Sequence, residues 1–381
     1  MYDILNYVSG FIWGPFTLIL ILGTGIFLSL GLKGFTLTYI AVAFKQLFSK
    51  EEDSSSGEIS SFQSLTTALS ATVGTGNIAG VATAIFVGGP GAIFWMWVSA
   101  IFGMATKFAE AFLAIKYREK NELGETIGGP MYYIKNGLTS KFIVFAYLFA
   151  AAGMIAALGI GNGVQVNSVS QVINNEFGFS TFSIGIVIAI LVALVILGGI
   201  KSIGNITSKL VPVMSLVYIL GGLLIIILNV DQVGYIFNLI VTSAFTTTAA
   251  TGGFAGATVW MALRYGVARG VFSNEAGLGS SPIAHAAAKT NNPVKQGMIS
   301  MLEPLIDTLI VCTITAFVIL MSNQWVGEIN GAVLTVASFE NLLANGKYIV
   351  IFGLILFSFS TIIGWSYYGE KCVEFLFGSG V

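Results

Sequence analysis

The stretch that decides the fold is Ala71-Thr72-Val73-Gly74-Thr75-Gly76-Asn77-Ile78-Ala79-Gly80, in the middle of an apolar run near 62–87. Glycine costs about 1 kcal/mol relative to alanine inside a helix, and two glycines here flank a threonine and precede an asparagine. Small residues that only allow close helix packing would explain the same pattern equally well. Unwound backbone at membrane depth is tolerated only where it is buried or lines a cavity. We therefore weigh a functional helix break against a packing face.

The composition around this stretch indicates a membrane protein. Of 381 residues, 55% are hydrophobic and only 9% are charged, against roughly 25% charged in an ordinary soluble domain. The net charge of -1 offers no basic field for nucleic acid. Two cysteines cannot build a disulfide framework, and their spacing resembles no metal site. The sequence therefore predicts a lipid bilayer as the surroundings, and no cofactor.

A helix that spans a bilayer needs about 20 mostly apolar residues. Nine stretches meet this requirement, and they lie roughly at 11–31, 62–87, 90–116, 141–172, 181–199, 208–229, 238–262, 296–321 and 348–370.

Lysine and arginine orient these spans, because cytoplasmic loops carry the excess of positive charge. All of them except Lys107 and Lys347 fall in alternate loops. The segment before the first span contains neither residue, and no small-residue cleavage site follows that span, so we expect it to be retained. The prediction is a multi-pass protein of the cell membrane, with the amino terminus outside and Val381 inside.

The seventh predicted span repeats the interruption, with Thr246-Thr247-Thr248-Ala249-Ala250-Thr251-Gly252-Gly253-Phe254-Ala255-Gly256. Spans two and seven are an odd number apart and so run in opposite directions. Broken helices at corresponding positions of two inverted halves indicate a secondary transporter with a site at the membrane midplane. Two such breaks favour a carrier over a channel, which needs a continuous polar pore.

The chemistry of a broken helix suits a small zwitterion. The half-helix near Asn77 would present N–H groups and a positive dipole end to a carboxylate. Unwound carbonyl groups and the C-terminal ends of half-helices would suit Na⁺ or an ammonium group. Glycine leaves little room for a large side chain, which hints at a small substrate.

Five glycine-rich blocks are distributed along the chain, and they are Gly74-Thr75-Gly76-Asn77-Ile78-Ala79-Gly80, Gly88-Gly89-Pro90-Gly91-Ala92, Gly128-Gly129-Pro130-Met131-Tyr132-Tyr133, Gly270-Val271-Phe272-Ser273-Asn274-Glu275-Ala276-Gly277-Leu278-Gly279-Ser280 and Gly364-Trp365-Ser366-Tyr367-Tyr368-Gly369-Glu370-Lys371. Together these blocks closely resemble the alanine or glycine:cation symporter family, sodium-coupled amino acid carriers with the leucine-transporter type of fold. The resemblance covers essentially the whole chain.

This resemblance implies an all-α inverted-repeat bundle that takes up alanine or glycine with Na⁺. One extra helix would precede a core of five plus five, which divides the chain into 1–61, 62–229 and 230–381. The family pattern has two further helices after the ninth span, so the second repeat is expected to be incomplete. The alternatives are an amino-acid-binding membrane protein that does not transport, and a proton-coupled carrier. No obligate protein partner is evident.

The resemblance also implies the site residues. The expected substrate contacts are Thr75, Gly76, Asn77, Gln165, Gly253, Phe254, Thr361 and Trp365. The expected Na⁺ ligands are the carbonyl groups around Ala71 and Gly74 and the hydroxyl groups of Ser360 and Thr361.

Single charged residues inside the spans allow further hypotheses. Intramembrane carboxylates are functional candidates, and we favour Asp307 for a coupling or gating contact, or as a proton carrier. Glu303 could instead be solvated or paired with a loop cation. The spacing of Lys107 and Glu110 predicts a structural ion pair. His285 has no partner in sequence for metal binding or catalysis, and a structural role is expected. The absence of a phosphate-binding loop, a metal motif and paired carboxylates argues against an enzyme.

Overall fold

The computed structural model describes residues 10, 12–49, 56–247 and 257–379, and most of these are helical. The helices are α1 (Pro15–Gly31), α2 (Ile40–Leu47), α3 (Ser61–Thr72), α4 (Gly76–Gly88), α5 (Gly91–Lys116), α6 (Pro130–Gly137), α7 (Ser140–Phe177), α8 (Thr181–Ile196), α9 (Gly199–Leu228), α10 (Val233–Ser243), α11 (Val259–Asn274), α12 (Pro282–Ala286), α13 (Pro293–Ser322), α14 (Gly331–Leu342) and α15 (Lys347–Phe377). Single turns occur at Phe35–Thr38, Val230–Gln232 and Gln324–Val326.

Eight of the nine predicted spans coincide with apolar helices of the described chain. Five helices are long and apolar enough to cross a membrane, and they are α5, α7, α9, α13 and α15. The pair α3 and α4 passes the same test as one span bent by 51°. Helices α1 and α8 are apolar but shorter. The part of the chain that the structure describes is therefore an all-α membrane protein.

The seventh predicted span, an interrupted helix over 238–262, is wrong as a crossing of the bundle, because its two described ends lie on the same side. Helix α10 has only 11 residues, and its last residue, Ser243, lies beside Gly91. Helix α11 begins at Val259, and Met261 in its first turn lies beside Gly88. Both flanks of the intervening segment thus lie at the end of the bundle where α4 ends. Its residues 248–256, including Gly253 and Phe254, lie outside the described residues.

The chain crosses the bundle again in α11. This helix runs alongside α5 in the same direction, with Gly266 against Ala92 near its start and Ala276, just beyond its end, against Gly103. Arg264 and Arg269, which were expected in a loop, lie on α11, and the Arg264 Nε–H donates to the Trp13 carbonyl at 3.1 Å. The seventh span was predicted too early in the sequence, because α10 and α11 are both apolar and were joined into one apolar stretch.

A second helix interruption follows α11. Glu275, Gly277 and Gly279 all have positive φ values, at 58°, 88° and 76°, a conformation that glycine adopts without the steric cost other residues carry. We call residues 275–281 the second break, and residues 73–75 the first break. The break predicted at 246–256 lies mostly outside the described residues, and the break at 275–281 is one that the sequence did not predict.

The outer surface of the bundle is apolar, whereas one buried helix face carries many hydroxyl groups. Large apolar side chains on the outer helices are exposed, for example Phe182 at 76% and Leu197 at 84% on or next to α8. The buried face of α3 is largely hydroxylated, with Ser61, Ser64, Thr66, Thr67, Ser70 and Thr72. Such a surface suits lipid, and the polar interior is where a solute path is expected.

A small hairpin closes the end of the bundle opposite Gly88. Strands β1 (Glu119–Lys120) and β2 (Thr126–Ile127) pair antiparallel. Lys371 near the end of α15 forms ion pairs with Glu125 at 3.1 Å and Glu374 at 2.9 Å. Partial burial would raise the pKa of Glu125, but the Lys371 ammonium group outweighs it and holds this pKa below its usual range. The hairpin is thus tied to the last helix by charge.

Candidate functional site

The first break is stabilised by its own asparagine. Val73 has φ -77° and ψ 93°, so its backbone is extended and ends α3. The Gly74 N–H donates to Asn77 Oδ1 at 2.8 Å, and the Asn77 N–H donates to the Gly74 carbonyl at 3.2 Å. Asn77 is fully buried. Its side chain therefore supplies an acceptor that the interrupted helix cannot.

Gln165 reaches the first break from α7. It follows a π-helical stretch, Ala157–Gly163, in which the backbone turn is wider than in an α-helix. The Thr75 N–H donates to Gln165 Oε1 at 3.2 Å, and Gln165 Nε2 donates to the Ile160 carbonyl at 3.2 Å. The second bond fixes the amide orientation, so a carbonyl oxygen faces the backbone N–H of the break.

Helix α15 contributes Thr361 to the other side of the break. The Thr361 hydroxyl donates to the Val73 carbonyl at 3.3 Å. Ala71 packs against Gly364, whose missing side chain allows the two helices to approach. The Ser360 hydroxyl donates to the Phe357 carbonyl of its own helix at 2.8 Å. Of the two hydroxyl groups predicted to bind Na⁺, the structure therefore brings only Thr361 into hydrogen-bond contact with the break.

Trp365 lies one turn further along α15 and packs on α7. Its side chain fills the space above Gly161, and its ring meets that of Tyr368 edge-on at 5.6 Å between centroids. The residue is only 7% exposed. The indole ring of Trp365 therefore lies between α7 and α15, near Gln165.

Asp307 joins the first break from α13. It lies in a second π-helical stretch, Leu305–Cys312. Asn77 Nδ2 donates to Asp307 Oδ1 at 2.6 Å and to the Asp307 carbonyl at 3.2 Å, while the Thr308 hydroxyl donates to Asp307 Oδ2 at 2.7 Å. Asp307 is completely buried. Both carboxylate oxygens thus have neutral hydrogen-bond donors. The sequence singled out Asp307, but nothing in it indicated contact with Asn77.

The end of α11 completes the site. A Cβ built on Gly76 would stand 3.4 Å from Ser273 Cα, so only a small residue fits there without displacement. Asn274 Nδ2 donates to the Thr308 hydroxyl at 3.0 Å. The first break and the residues that lead into the second break are therefore in direct contact. Gly253 and Phe254, expected opposite the first break, are not among the described residues.

A polar cluster that the sequence did not reveal lies beside the second break, and we define it as Lys107, Glu110, Glu275, His285 and Glu303. Lys107 Nζ lies 2.9 Å from Glu303 Oε2, and both side chains are fully buried. The predicted ion pair between Lys107 and Glu110 is wrong, because the Lys107 ammonium group points to α13. Glu303 is neither solvated nor paired with a loop cation. Residues 196 positions apart give no local signal in sequence.

Comparisons with known proteins agree over nearly the whole chain. The sequence model described as "Sodium:alanine symporter family" matches residues 1–381. The "Sodium/alanine symporter AgcS" of Methanococcus maripaludis is 51% identical over 384 residues, covering 99% of this chain and 84% of that protein. The "Putative sodium/proton-dependent alanine carrier protein YrbD" of Bacillus subtilis is 40% identical, covering 99% and 79%. The "Probable sodium/glutamine symporter GlnT" of the same species is 38% identical, covering 99% and 78%.

Proposed function

The chain belongs to the sodium:alanine symporter family, and from that premise we propose that it carries a small neutral amino acid, alanine or glycine, into the cell together with Na⁺. It is a transporter and not an enzyme, and it works by alternating access in the cell membrane with its amino terminus outside. The halves around the two breaks act as inverted repeats of the leucine-transporter type.

The hydrogen bond from the Thr75 N–H to Gln165 Oε1 is the observation that carries this proposal. A substrate carboxylate competes well for that N–H, because hydrogen bonds to an ionised acceptor are roughly twice as strong as neutral ones. Helix α4 begins at Gly76, directly after this N–H, so its dipole also favours an anion there. The substrate carboxylate then replaces Gln165 Oε1 as the acceptor of the Thr75 N–H.

The coupling cation fits on the opposite side of the first break. The Thr361 hydroxyl donates to the Val73 carbonyl at 3.3 Å, so these two oxygens lie side by side. Unwound carbonyl groups near a half-helix end are typical ligands for Na⁺ in such carriers. The carbonyl groups of Ala71 and Gly74 belong to the same turn, and Ser360 joins them by releasing its bond to Phe357.

The van der Waals contact between Gly76 and the end of α11 favours a small substrate. Ser273 Cα and the Phe272 ring stand 3.4 and 3.5 Å from the position of a Cβ there. A solute with a one-carbon side chain or none displaces the fewest of these contacts. Because one relative is named for glutamine, substrate size is a property to be measured.

Proteoliposomes that contain the purified full chain test the proposal. With Na⁺ outside and K⁺ inside, labelled alanine should accumulate above its equilibrium level, and an ionophore that collapses the Na⁺ gradient should abolish this. Counterflow of labelled against unlabelled alanine should be saturable, as a carrier requires and a channel does not show.

Three results would contradict parts of this proposal. Accumulation driven by a proton gradient without Na⁺ would indicate a proton-coupled carrier. Alanine binding without accumulation under any gradient would indicate a binding protein. Competition by glutamine that is stronger than competition by alanine or glycine would overturn the size argument.

A further inference from the structure

The polar cluster beside the second break carries an unbalanced charge. It contains three carboxylates, one ammonium group and one imidazole, and every member is at most 8% exposed. Even with His285 protonated, three negative charges face two positive ones. A buried charge without a partner is costly, so one carboxylate needs a proton or another cation.

Glu303 is the carboxylate best stabilised as an anion. Its Oε2 accepts from Lys107 Nζ at 2.9 Å, and its Oε1 accepts from the Ser300 hydroxyl at 2.8 Å and lies 2.6 Å from His285 Nε2. The Gln296 amide, which also donates to the Ser64 hydroxyl, lies 2.5 Å from His285 Nδ1. Whether or not His285 carries a proton on both ring nitrogens, the three carboxylates outnumber the positive charges of the cluster.

Glu110 is only partly stabilised as an anion. Its Oε1 accepts a hydrogen bond from the Gly279 N–H at 3.1 Å. Its Oε2 is buried and has no hydrogen-bond partner among the described residues. Asp307, by contrast, has a donor on each oxygen. Hydrogen-bond donors favour the charged form of a carboxyl group, and the buried Oε2 of Glu110 lacks one.

The groups around Glu110 do not supply the missing positive charge. Lys107, one turn earlier on α5, is bound to Glu303 and to the Ser281 hydroxyl. The other titratable groups that face the cluster come from the packed elements, and they are Tyr133 of α6, Glu275 of the second break, His285 of α12, Glu303 and Asp307 of α13, and Tyr368 of α15. Apart from His285, these are acids. The field at Glu110 therefore favours the neutral carboxyl form.

We propose that Glu110 is a proton-binding site. A proton from water adds to Oε2 of the carboxylate and gives a neutral carboxyl group, and no other bond is made or broken. The negative charge of the cluster falls by one unit. This goes beyond the proposed function, which assigns only an amino acid and Na⁺.

Among the described residues, the hydrogen bond that Glu110 accepts comes from the second break, at the Gly279 N–H. If residues 275–281 rearrange during alternating access, this N–H moves away and the anion loses a donor. The proton is then held more tightly. This link between proton binding and the transport cycle rests on the proposed function, whereas the proton site itself does not.

Infrared difference spectroscopy of the intact chain in lipid, between alkaline and acidic buffer, tests the site without any substrate. We expect a carbonyl band of a buried, protonated carboxyl group that titrates in the wild type and is missing in Glu110→Gln. Glu275→Gln is the matched control, because Glu275 is equally buried in the same cluster, and it should keep the band.

Three outcomes would overturn the proposal. The band could persist in Glu110→Gln, or it could be lost only in Glu275→Gln. The wild type could also lack a titrating band until Na⁺ and K⁺ are removed, which would show that a metal cation neutralises Glu110. If Glu110→Gln does not yield monodisperse protein, Glu110→Asp serves instead. A carbonyl band with the same position and the same titration in Glu110→Asp as in the wild type would also overturn the proposal.

Because no substrate is added, this experiment stays informative for a protein that does not transport alanine.

Discussion

Replacing Gly74 by alanine should impair cation binding more than any other one-methyl change in the first break. A Cβ at this position would stand 2.5 Å from Thr361 Oγ1 and 3.3 Å from Gln165 Oε1, whereas ordinary contacts begin at 3.4 Å. The Thr361 side chain must then rotate away from the Val73 carbonyl. Both oxygens are proposed Na⁺ ligands, so the methyl group acts on the cation site directly.

The expected size follows from the cost of overpacking, which is about 1–3 kcal/mol for an added methylene in a well-packed core. If this strain is felt mainly in the cation-bound state, it corresponds to a loss of about 5–150-fold in Na⁺ affinity. The assay is the Na⁺ dependence of alanine uptake by proteoliposomes, from which the half-saturating Na⁺ concentration is obtained.

Gly80→Ala provides the matched control for this change. Gly80 lies in α4, just after the first break, and the nearest atom to a Cβ there is the Thr75 carbonyl oxygen at 4.0 Å. It should leave the half-saturating Na⁺ concentration unchanged. A Gly74→Ala protein with the same Na⁺ dependence as Gly80→Ala would refute the reasoning, because it would place the cation away from Val73 and Thr361.

Three further predictions follow from the same contacts. Asn77→Leu leaves the Gly74 N–H without its acceptor, at a cost of about 1–3 kcal/mol, and should abolish measurable alanine binding; wild-type affinity in equilibrium dialysis would contradict this. Thr361→Val removes a hydroxyl at nearly constant shape and should raise the Na⁺ concentration needed for uptake, while unchanged Na⁺ activation would move the cation elsewhere. Lys107→Met breaks a fully buried ion pair and should destabilise the protein by about 3–5 kcal/mol; adding Glu303→Gln should recover part of this in thermal unfolding, and no recovery would count against the pairing.

The sequence predicted the outline of the fold because lipid imposes a simple rule. A helix that crosses a membrane needs a long apolar stretch, and eight such stretches coincide with helices of the described chain. The first break was also predictable, since Gly74 and Gly76 flank a polar run inside an apolar one. These signals are local, so a single sequence is enough to detect them.

The second break was not predicted, because another glycine-rich segment gave the stronger signal in sequence. The stretch 246–256 lies within an apolar window, whereas 275–281 lies next to charged residues and was therefore interpreted as a loop. Positive φ values at Glu275, Gly277 and Gly279 show where the chain leaves the helix. A buried glutamate in such a break conflicts with any hydropathy criterion, and only its packing against α5 explains it.

The partners of the candidate site could not be predicted for a different reason. Asn77 and Asp307 are 230 positions apart, and Lys107 and Glu303 are 196 apart. Helical spacing favoured Glu110 as the partner of Lys107, but α13 brings Glu303 closer. Contacts between distant helices depend on how the bundle packs, which no local pattern encodes.

A structure of the full chain determined with alanine and NaCl is the most direct test of the central claim that the first break holds both solute and cation. The account predicts the amino-acid carboxylate on the Thr75 N–H in place of Gln165, with Na⁺ between the Val73 carbonyl and the Thr361 hydroxyl. An intact bond between Thr75 and Gln165, with alanine bound at another position in the bundle, would contradict it.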